Sequence, residues 1–483
     1  MLQEFYAIRH LVIGFLTVLV TLVASAHVVL YKRDSRAAVA WVGLIWIAPV
    51  VGPLLYILFG INRIRRRAER LRAGTEPIVD PGTIYRSEGD RLEGMKGPEA
   101  PDPDPMQKLT ETIVGRPLMH GNAVAPLVNG DEAYPAMLEA IEGAKDFVVL
   151  STFIFDNDGV GRMFREALAG AVDRGVEVRV LIDAVGARYS FPSIIGPLGR
   201  RGVTVSRFIP ALRPGRIPYV NLRIHRKILV VDGRVGFTGG INIRSGHVLA
   251  EEPKHPIQDL HFRIEGPVVT DLMAIFADDW AFCNGERLED MWWFPPQAPR
   301  GSVAARGIVD GPDEDFEKLR FVILAALAYA RSSIRIVTPY FVPDSGLITS
   351  LVVAAMRGVQ VDILLPEKNN QRIAKWASTA LQYQLLERGC RIFMSPPPFD
   401  HTKLMLVDDR WALIGSANWD ARSLRLNFEF NVECYDKELA GVLGDFLQEK
   451  FAAARPVSLD EVEGRSIPIR LRDGMARLFT PYL

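Results

Sequence analysis

Cysteine is nearly absent. Cys283, Cys390 and Cys434 are the only three in 483 residues, far apart, with no C-x-x-C pair and no histidine pair at ligand spacing nearby. A disulfide framework and a zinc site are thereby excluded, and reduced thiols suit a cytosolic domain. An excess of either charge is also missing. Lys+Arg and Asp+Glu stand at 57 each, so no basic field draws the chain onto nucleic acid. The 32 prolines and 40 glycines are spread along the chain, which rules out collagen-like and low-complexity classes. What remains, with 48% hydrophobic and 24% charged residues, is a globular composition. Its length suits about three domains and a sizeable core.

Much of the apolar content is gathered at the N-terminus. Residues 11–31 carry no charge, and about 20 such residues make a helix that crosses a ~30 Å bilayer core. Residues 37–61 are also uncharged, although Pro49, Gly52 and Pro53 interrupt them. Neither stretch has an amphipathic period, and the first lacks the strong basic start of a signal peptide. The reading is a membrane hairpin over residues 1–72, its second limb kinked or re-entrant because proline breaks helical hydrogen bonding. Arg63, Arg65, Arg66, Arg67, Arg70 and Arg72 follow, against Glu69 alone. Short flanks rich in Lys and Arg stay in the cytoplasm, which places the rest of the chain there. Lys32, Arg33 and Arg36 in the inter-span loop pull the other way. The arginine cluster also suits anionic lipid headgroups, at ~1 kcal/mol per charge.

Residues 73–116, rich in Pro, Gly and acid, read as a linker. Beyond them, strand and helix patterns alternate, as in FVVLSTFIF at 147–155 followed by a helix at 161–174 and VEVRVLI at 176–182. Such βαβ order predicts an α/β fold with a mostly parallel sheet. The pattern then repeats. Residues 140–161 have a counterpart at 326–346, and DRGVEVRVLID at 173–183 is matched by MRGVQVDILLP at 356–366. Two copies of one α/β unit are expected, 117–300 and 301–455, related by a pseudo-twofold axis, with a tail at 456–483.

Each copy holds H-x-K-x-x-x-x-D: His225, Lys227 and Asp232 in the first, His401, Lys403 and Asp408 in the second. Fourteen residues after each histidine stands G-[GS]-x-N, ending in Asn242 or Asn418. With only eight histidines in the chain, the double match is not accidental. On a strand, residues i and i+2 share a face, so each His and Lys project together. Each Asp, at an odd spacing beside a turn, is expected to support structure. Two histidines, two lysines and two asparagines converging across the pseudo-dyad suit a phosphodiester. One imidazole attacks phosphorus, the other protonates the leaving alkoxide, and the cations neutralise the equatorial oxygens. No metal and no other cofactor is expected.

These residues resemble the phospholipase D superfamily, the HKD enzymes, and within it the bacterial cardiolipin synthases. The resemblance spans nearly the whole chain, including GPLLYILFG at 52–60, FIFDND at 153–158, TPYFVPD at 338–344, SLRLNFEFNVE at 423–433 and the closing RLFTPYL. Asp409 departs from it, standing where glycine is common. The resemblance implies two duplicated phospholipase D-like α/β sandwich lobes with one active site between them. It implies metal-independent phosphatidyl transfer between two phosphatidylglycerol molecules through a phosphohistidine, giving cardiolipin and glycerol at a bacterial inner membrane. By the same analogy His225 is the nucleophile and His401 the acid/base. Phosphatidylglycerol and other anionic phospholipids are the expected partners. A phospholipase D-type hydrolase, or a transferase with another donor such as phosphatidylethanolamine, is the alternative.

A catalytic histidine also needs its second ring nitrogen held, usually by a carboxylate. The family pattern puts an acid on the strand after each motif, Asp259 and Glu429, with Glu265 and Glu433 as competitors. His261 reads as a core residue, and His120, His247 and His255 as surface or loop residues. Arg422 and Arg425 suit either a lipid phosphate or exposed ion pairs. Met291 to Phe294 suit either a lipid-touching belt or a packed loop, and the tail either a membrane surface or a docked segment.

Overall fold

The computed structural model describes residues 2–32, 35–57, 104–208, 222–312 and 315–480. The chain divides into two compact units, Met1–Arg67 and Ala68–Leu483.

In the first unit a helix runs from Leu2–Tyr31. Its stretch Ile8–Tyr31 is, among the described residues, the one helix long and apolar enough to cross a membrane. Leu11, Phe15, Leu16 and Val18 stand on its outer faces, exposed. Ala24 and Val28 turn inward onto Ile45 and Tyr56, and the Tyr56 hydroxyl lies 2.8 Å from His27 Nδ1. The second apolar segment departs from a full span. It is broken at Ala48–Val50 into helices Ser35–Ile47 and Val51–Leu55. Thirteen helical residues rise only about 20 Å at 1.5 Å each, short of the ~30 Å apolar core. Pro49 causes the break by withholding a backbone donor. The Arg63–Arg72 cluster lies outside the described residues.

The second unit is built on one long mixed sheet whose halves repeat the same strand order. From the middle outward the first half runs Met119–Val128, Leu260–Glu265, Val235–Gly239, Ile228–Val231, Phe147–Thr152, Glu177–Asp183 and Thr204–Phe208. The second runs Val303–Asp310, Asn427–Tyr435, Trp411–Gly415, Leu404–Val407, Ser333–Val337, Gln360–Pro366 and Arg391–Ser395. Antiparallel pairing of Met119 with Ala305 and Asn122 with Val303 joins them. A mostly parallel sheet is therefore corrected. Of the strands just named, only the last three of each half pair in parallel with one another. The motif strands form tight antiparallel hairpins, closed by Asp232-Gly233 and Asp408-Asp409, whose geometry leaves no room for a crossover helix. Helices cover the sheet, and each half has its own apolar cluster.

One segment differs from its sequence reading, and in the tail one of two open readings holds. Of the expected linker, residues 73–103 lie outside the described residues, while Pro105–Val114 is a helix capped by the Asp104 side chain, with proline in its first turn. Met106 and Val114 bury its inner face in the second half's core. The tail docks: Val462 and Ala476 join the same core, and the buried Asp473 pairs with Arg465 at 2.6 Å and Arg472 at 2.7 Å.

Asp232 and Asp408 sit at the far ends of the motif strands. The Asp232 carboxylate accepts the backbone N–H groups of Lys145, Asp146 and Phe147. Asp408 likewise accepts those of Arg331, Ser332 and Ser333. Each thus fixes the start of the neighbouring strand. Both take left-handed backbone, at φ 51° and 53°, as do Gly233 and Asp409 after them. Aspartate tolerates that region better than most side chains, which explains how Asp409 can stand in this turn. Removing three charge-assisted hydrogen bonds at once should cost about 2 kcal/mol or more. Asp408→Ala should lower the denaturant midpoint of the purified protein accordingly; an unmoved midpoint contradicts the capping role.

Candidate active site

The short segment Arg223–Ile224, just before the first motif, pairs in parallel with Asn427 and Phe428 of the second half. His225 N–H then donates to Phe428 O at 2.9 Å. The mirror arrangement holds for the other motif. Phe399–Asp400 pairs with Ile257 and Gln258 of the first half, and His401 N–H donates to Gln258 O at 2.8 Å. The next residue on each partner strand is an acid, so each histidine meets the acid of the other half. His225 Nδ1 lies 2.9 Å from Glu429 Oε2, and His401 Nδ1 lies 2.6 Å from Asp259 Oδ2. Both carboxylates are fully buried. With Nδ1 engaged, Nε2 of each ring is the nitrogen left for a ligand, and both rings line one cavity of about 400 Å³.

Of the competing acids, Glu265 pairs with Arg263 at 2.9 Å, and Glu433 is buried against Arg306 and the Trp411 indole. Neither touches a motif histidine.

Lys227 and Lys403 are buried beside the rings, each donating to the backbone oxygen of its own histidine. Burial pushes Lys227 down to about 7 and Lys403 down to about 8. Burial also lowers both histidines; His401 falls well below its ordinary value because Lys403, Lys227 and His225 add to it. The acids differ. Burial raises Asp259, whereas His225, Lys227 and the Ser416 hydroxyl overcome burial and hold Glu429 below the carboxylate range. Ser416 Oγ donates to Glu429 Oε2 at 2.5 Å, and Asn427 Nδ2 to its other oxygen at 3.1 Å. The equivalent of Ser416 is Gly240, where a Cβ would stand 2.2 Å from Asp259 Oδ1.

The asparagines play unequal parts. Asn242 Oδ1 accepts Ile154 N–H at 3.0 Å and so holds the loop after the first strand. Asn418 Nδ2 donates to Ser423 Oγ at 3.2 Å, and its buried Oδ1 has no partner. Both line the cavity, whereas Asp232 and Asp408 do not. Phe153, Tyr189, Tyr340 and Phe399 supply aromatic walls, and Arg223, Arg244 and Arg422 supply charge.

Sequence reasoning missed two residues and misplaced one. Arg223 stands two residues before His225, hence on the same strand face, a signal that was legible. Arg226 points the opposite way, fully buried, with Asp279 at 2.5 Å and Glu429 O at 3.1 Å; it ties the motif to helix Val269–Asn284. His247 is not a surface residue. It is 1% exposed and lines the cavity, and burial holds it neutral, down to about 3. His261 is buried in the sheet, as a core residue would be. Arg425 makes surface ion pairs with Glu317 and Asp344. Trp293 packs on Phe147 at 4.7 Å, while Met291 and Trp292 remain exposed. Among the described residues, no group of three His, Cys, Asp or Glu side chains could hold a metal ion.

Two repeats that each bring a histidine to one cleft, backed by a buried lysine and by a buried acid of the opposite half, define a duplicated phospholipase D-like fold. The family model "Cardiolipin synthase, PLD-like domain" matches residues 137–280 and 323–450, and that of the phospholipase D-nuclease N-terminal region matches 19–60. A cardiolipin synthase of Geobacillus thermodenitrificans is 32% identical over 476 residues, covering 98% of this chain and 94% of that protein. Cardiolipin synthase 1 of Bacillus anthracis is 32% identical over 96% of this chain and 92% of its own length. The crystal structure of a phosphatidylserine synthase from Haemophilus influenzae shares the fold, with a TM-score of 0.60 at 16% identity over 79% of this chain and all of that one. The chain belongs to the cardiolipin synthases of the phospholipase D superfamily.

The depressed lysines make anion binding depend on pH. As pH rises through about 7 and then 8, Lys227 and Lys403 lose their charge in the empty site. A bound phosphodiester favours the charged forms and raises both values. Affinity for a soluble short-chain phosphodiester should therefore fall as pH rises through this range, with protons taken up on binding. Isothermal titration in buffers of different ionisation enthalpy checks this, and a pH-independent affinity without proton uptake would contradict it.

Proposed function

We propose that this protein is a membrane-bound phosphatidyltransferase that joins two phosphatidylglycerols into cardiolipin and releases glycerol. The observation that carries the reading is the pair of histidines in one cavity, each held by a buried acid of the opposite half and each with a buried lysine bonded to its own backbone oxygen. In the first step His225 Nε2 attacks the lipid phosphorus and the bond to the headgroup oxygen breaks. His401 gives that oxygen its proton, and glycerol leaves. In the second step His401 takes the proton of a primary hydroxyl on another phosphatidylglycerol. That oxygen attacks phosphorus, the P–N bond breaks, and His225 is regenerated.

The charges support these roles. Burial and the neighbouring Lys403 and Lys227 keep His401 neutral. An arriving anion opposes those cations and raises its proton affinity, while the Asp259 carboxylate steadies the imidazolium. Glu429, kept ionised by its donors, fixes the tautomer that leaves His225 Nε2 unprotonated for attack. The lysines neutralise the phosphoryl oxygens, a task that a metal performs elsewhere.

The N-terminal unit supports anchoring in a membrane. We place the catalytic halves on the cytoplasmic side, with the kinked second limb dipping into the bilayer beside the first. The arginines at 63–72 support this orientation. A cysteine probe placed within 73–110 should be labelled only once the cytoplasmic face is opened; labelling from outside intact cells reverses the orientation.

Mass spectrometry after incubating purified protein with labelled phosphatidylglycerol tests the reaction. Cardiolipin and free glycerol are expected, whereas phosphatidate as the main product would make water the acceptor. EDTA should leave the rate nearly unchanged, and a loss restored by a divalent ion rejects charge neutralisation by lysine. With an activated donor whose leaving group needs no proton, His401→Ala should accumulate acid-labile, base-stable label on the protein, and His225→Ala none. Label in the His225 variant alone would exchange the two roles.

A further inference from the structure

The reacting groups are nearly symmetric about the pseudo-dyad, but the cavity around them is not. Two residues before the histidines stand Arg223 in one half and Phe399 in the other. Four residues after the asparagines stand Gly246 and Arg422. At these two points the pseudo-twofold sets a cation against an aromatic or small residue; the third arginine of the cavity, Arg244, has Asp420 as its equivalent and is paired with Asp156 at 3.1 Å. Arg223 and Arg422 line the cavity with His225. Arg223 is 4% exposed and is steadied by Asp183 at 3.8 Å, whose carboxylate is itself held by the N–H groups of Val185, Gly186 and Ile224. Arg422 is half-buried. Among the described residues no carboxylate lies within ion-pair range of it, in contrast to Arg425. Asp420 is the acid that lines the same cavity; it accepts Ser423 N–H at 2.7 Å. Arg223 also feels the charges of Arg422 and Arg188, so three guanidinium groups gather at this end.

Guanidinium groups gathered beside two lysines favour an anion among them, beyond what Asp183 and Asp420 offset. The reaction proposed above brings two phosphodiesters to one cleft. The histidines and lysines take the one that reacts. The other belongs to the acceptor lipid, where three carbons and one oxygen separate its phosphorus from the attacking hydroxyl oxygen. We propose that Arg223 and Arg422 form the subsite for the phosphodiester of the acceptor lipid, so that the broken symmetry distinguishes acceptor from donor. The proposal rests on the phosphatidyl-transfer reading. Its chemistry is that of a phosphate monoanion on a paired guanidinium clamp.

The test compares two acceptors in the full-length protein in phosphatidylglycerol vesicles. One is the second phosphatidylglycerol, measured as cardiolipin formed. The other is labelled glycerol, measured as exchange into phosphatidylglycerol; it uses the same histidines but carries no phosphate. In Arg422→Gln the ratio of cardiolipin formation to glycerol exchange should fall about tenfold, the effect of one lost charge-assisted contact. Arg422→Lys should recover part of it. Arg223→Lys, with thermal unfolding checked in parallel, should lower the ratio in the same direction. An unchanged ratio in Arg422→Gln, whether both rates fall together or neither moves, overturns the subsite. Inorganic phosphate should not inhibit the wild-type transfer selectively; if it suppresses cardiolipin formation while sparing exchange, a free anion is the occupant and the acceptor assignment falls. Wild-type protein that forms phosphatidate and no cardiolipin refutes the transfer reading itself, and the subsite with it.

Discussion

Two backbone hydrogen bonds decide the character of this site. His225 N–H is tied to Phe428 O and His401 N–H to Gln258 O, and each crosses from one half of the sheet to the other. Because the residue after each acceptor is an acid, the crossing delivers Glu429 to His225 and Asp259 to His401. Neither half alone holds an oriented imidazole. A buried carboxylate without its partner is costly, so the acids also bind the halves together. The single continuous sheet, joined through Met119 and Ala305, keeps the two crossings in register.

The electrostatic design follows from that burial. Two lysines, two imidazoles and two acids share a small volume away from water, and burial weakens every charge in it. An anion entering this volume restores the charge of the lysines. The halves are not equivalent, however. Ser416 and Asn427 add donors to Glu429, while Gly240 leaves Asp259 with His401 and the Leu260 N–H. This inequality gives chemically duplicate histidines a reason to perform different steps.

Much of this was legible in the sequence. The doubled H-x-K motifs and the repeated helix–strand pattern identify the fold and the reacting groups, because a two-residue period fixes which side chains share a face. The acids at Asp259 and Glu429 followed from the family pattern, since strand position alone left Glu265 and Glu433 beside them. Their partners could not be read this way, since periodicity does not say which strand lies alongside. The mixed sheet was hidden for the same reason. Helix Pro105–Val114 was concealed by the acid- and proline-rich run before it, although Asp104 followed by proline is itself a helix start. The second apolar segment had the length of a span but not its continuity, and Pro49 decided the matter. His247 carries no motif; only the packing of the cavity reveals it.

The central claim is that each histidine works with the acid of the opposite half, and trapping the covalent intermediate tests it most directly. With labelled phosphatidyl donor bearing an activated leaving group, Glu429→Gln should behave like a nucleophile defect, with little label on the protein. Asp259→Asn should behave like His401→Ala and accumulate label, because attack proceeds while release stalls. The reverse outcome, label accumulating in Glu429→Gln and lost in Asp259→Asn, would mean that each acid serves the histidine of its own half, and the crossed pairing would be contradicted.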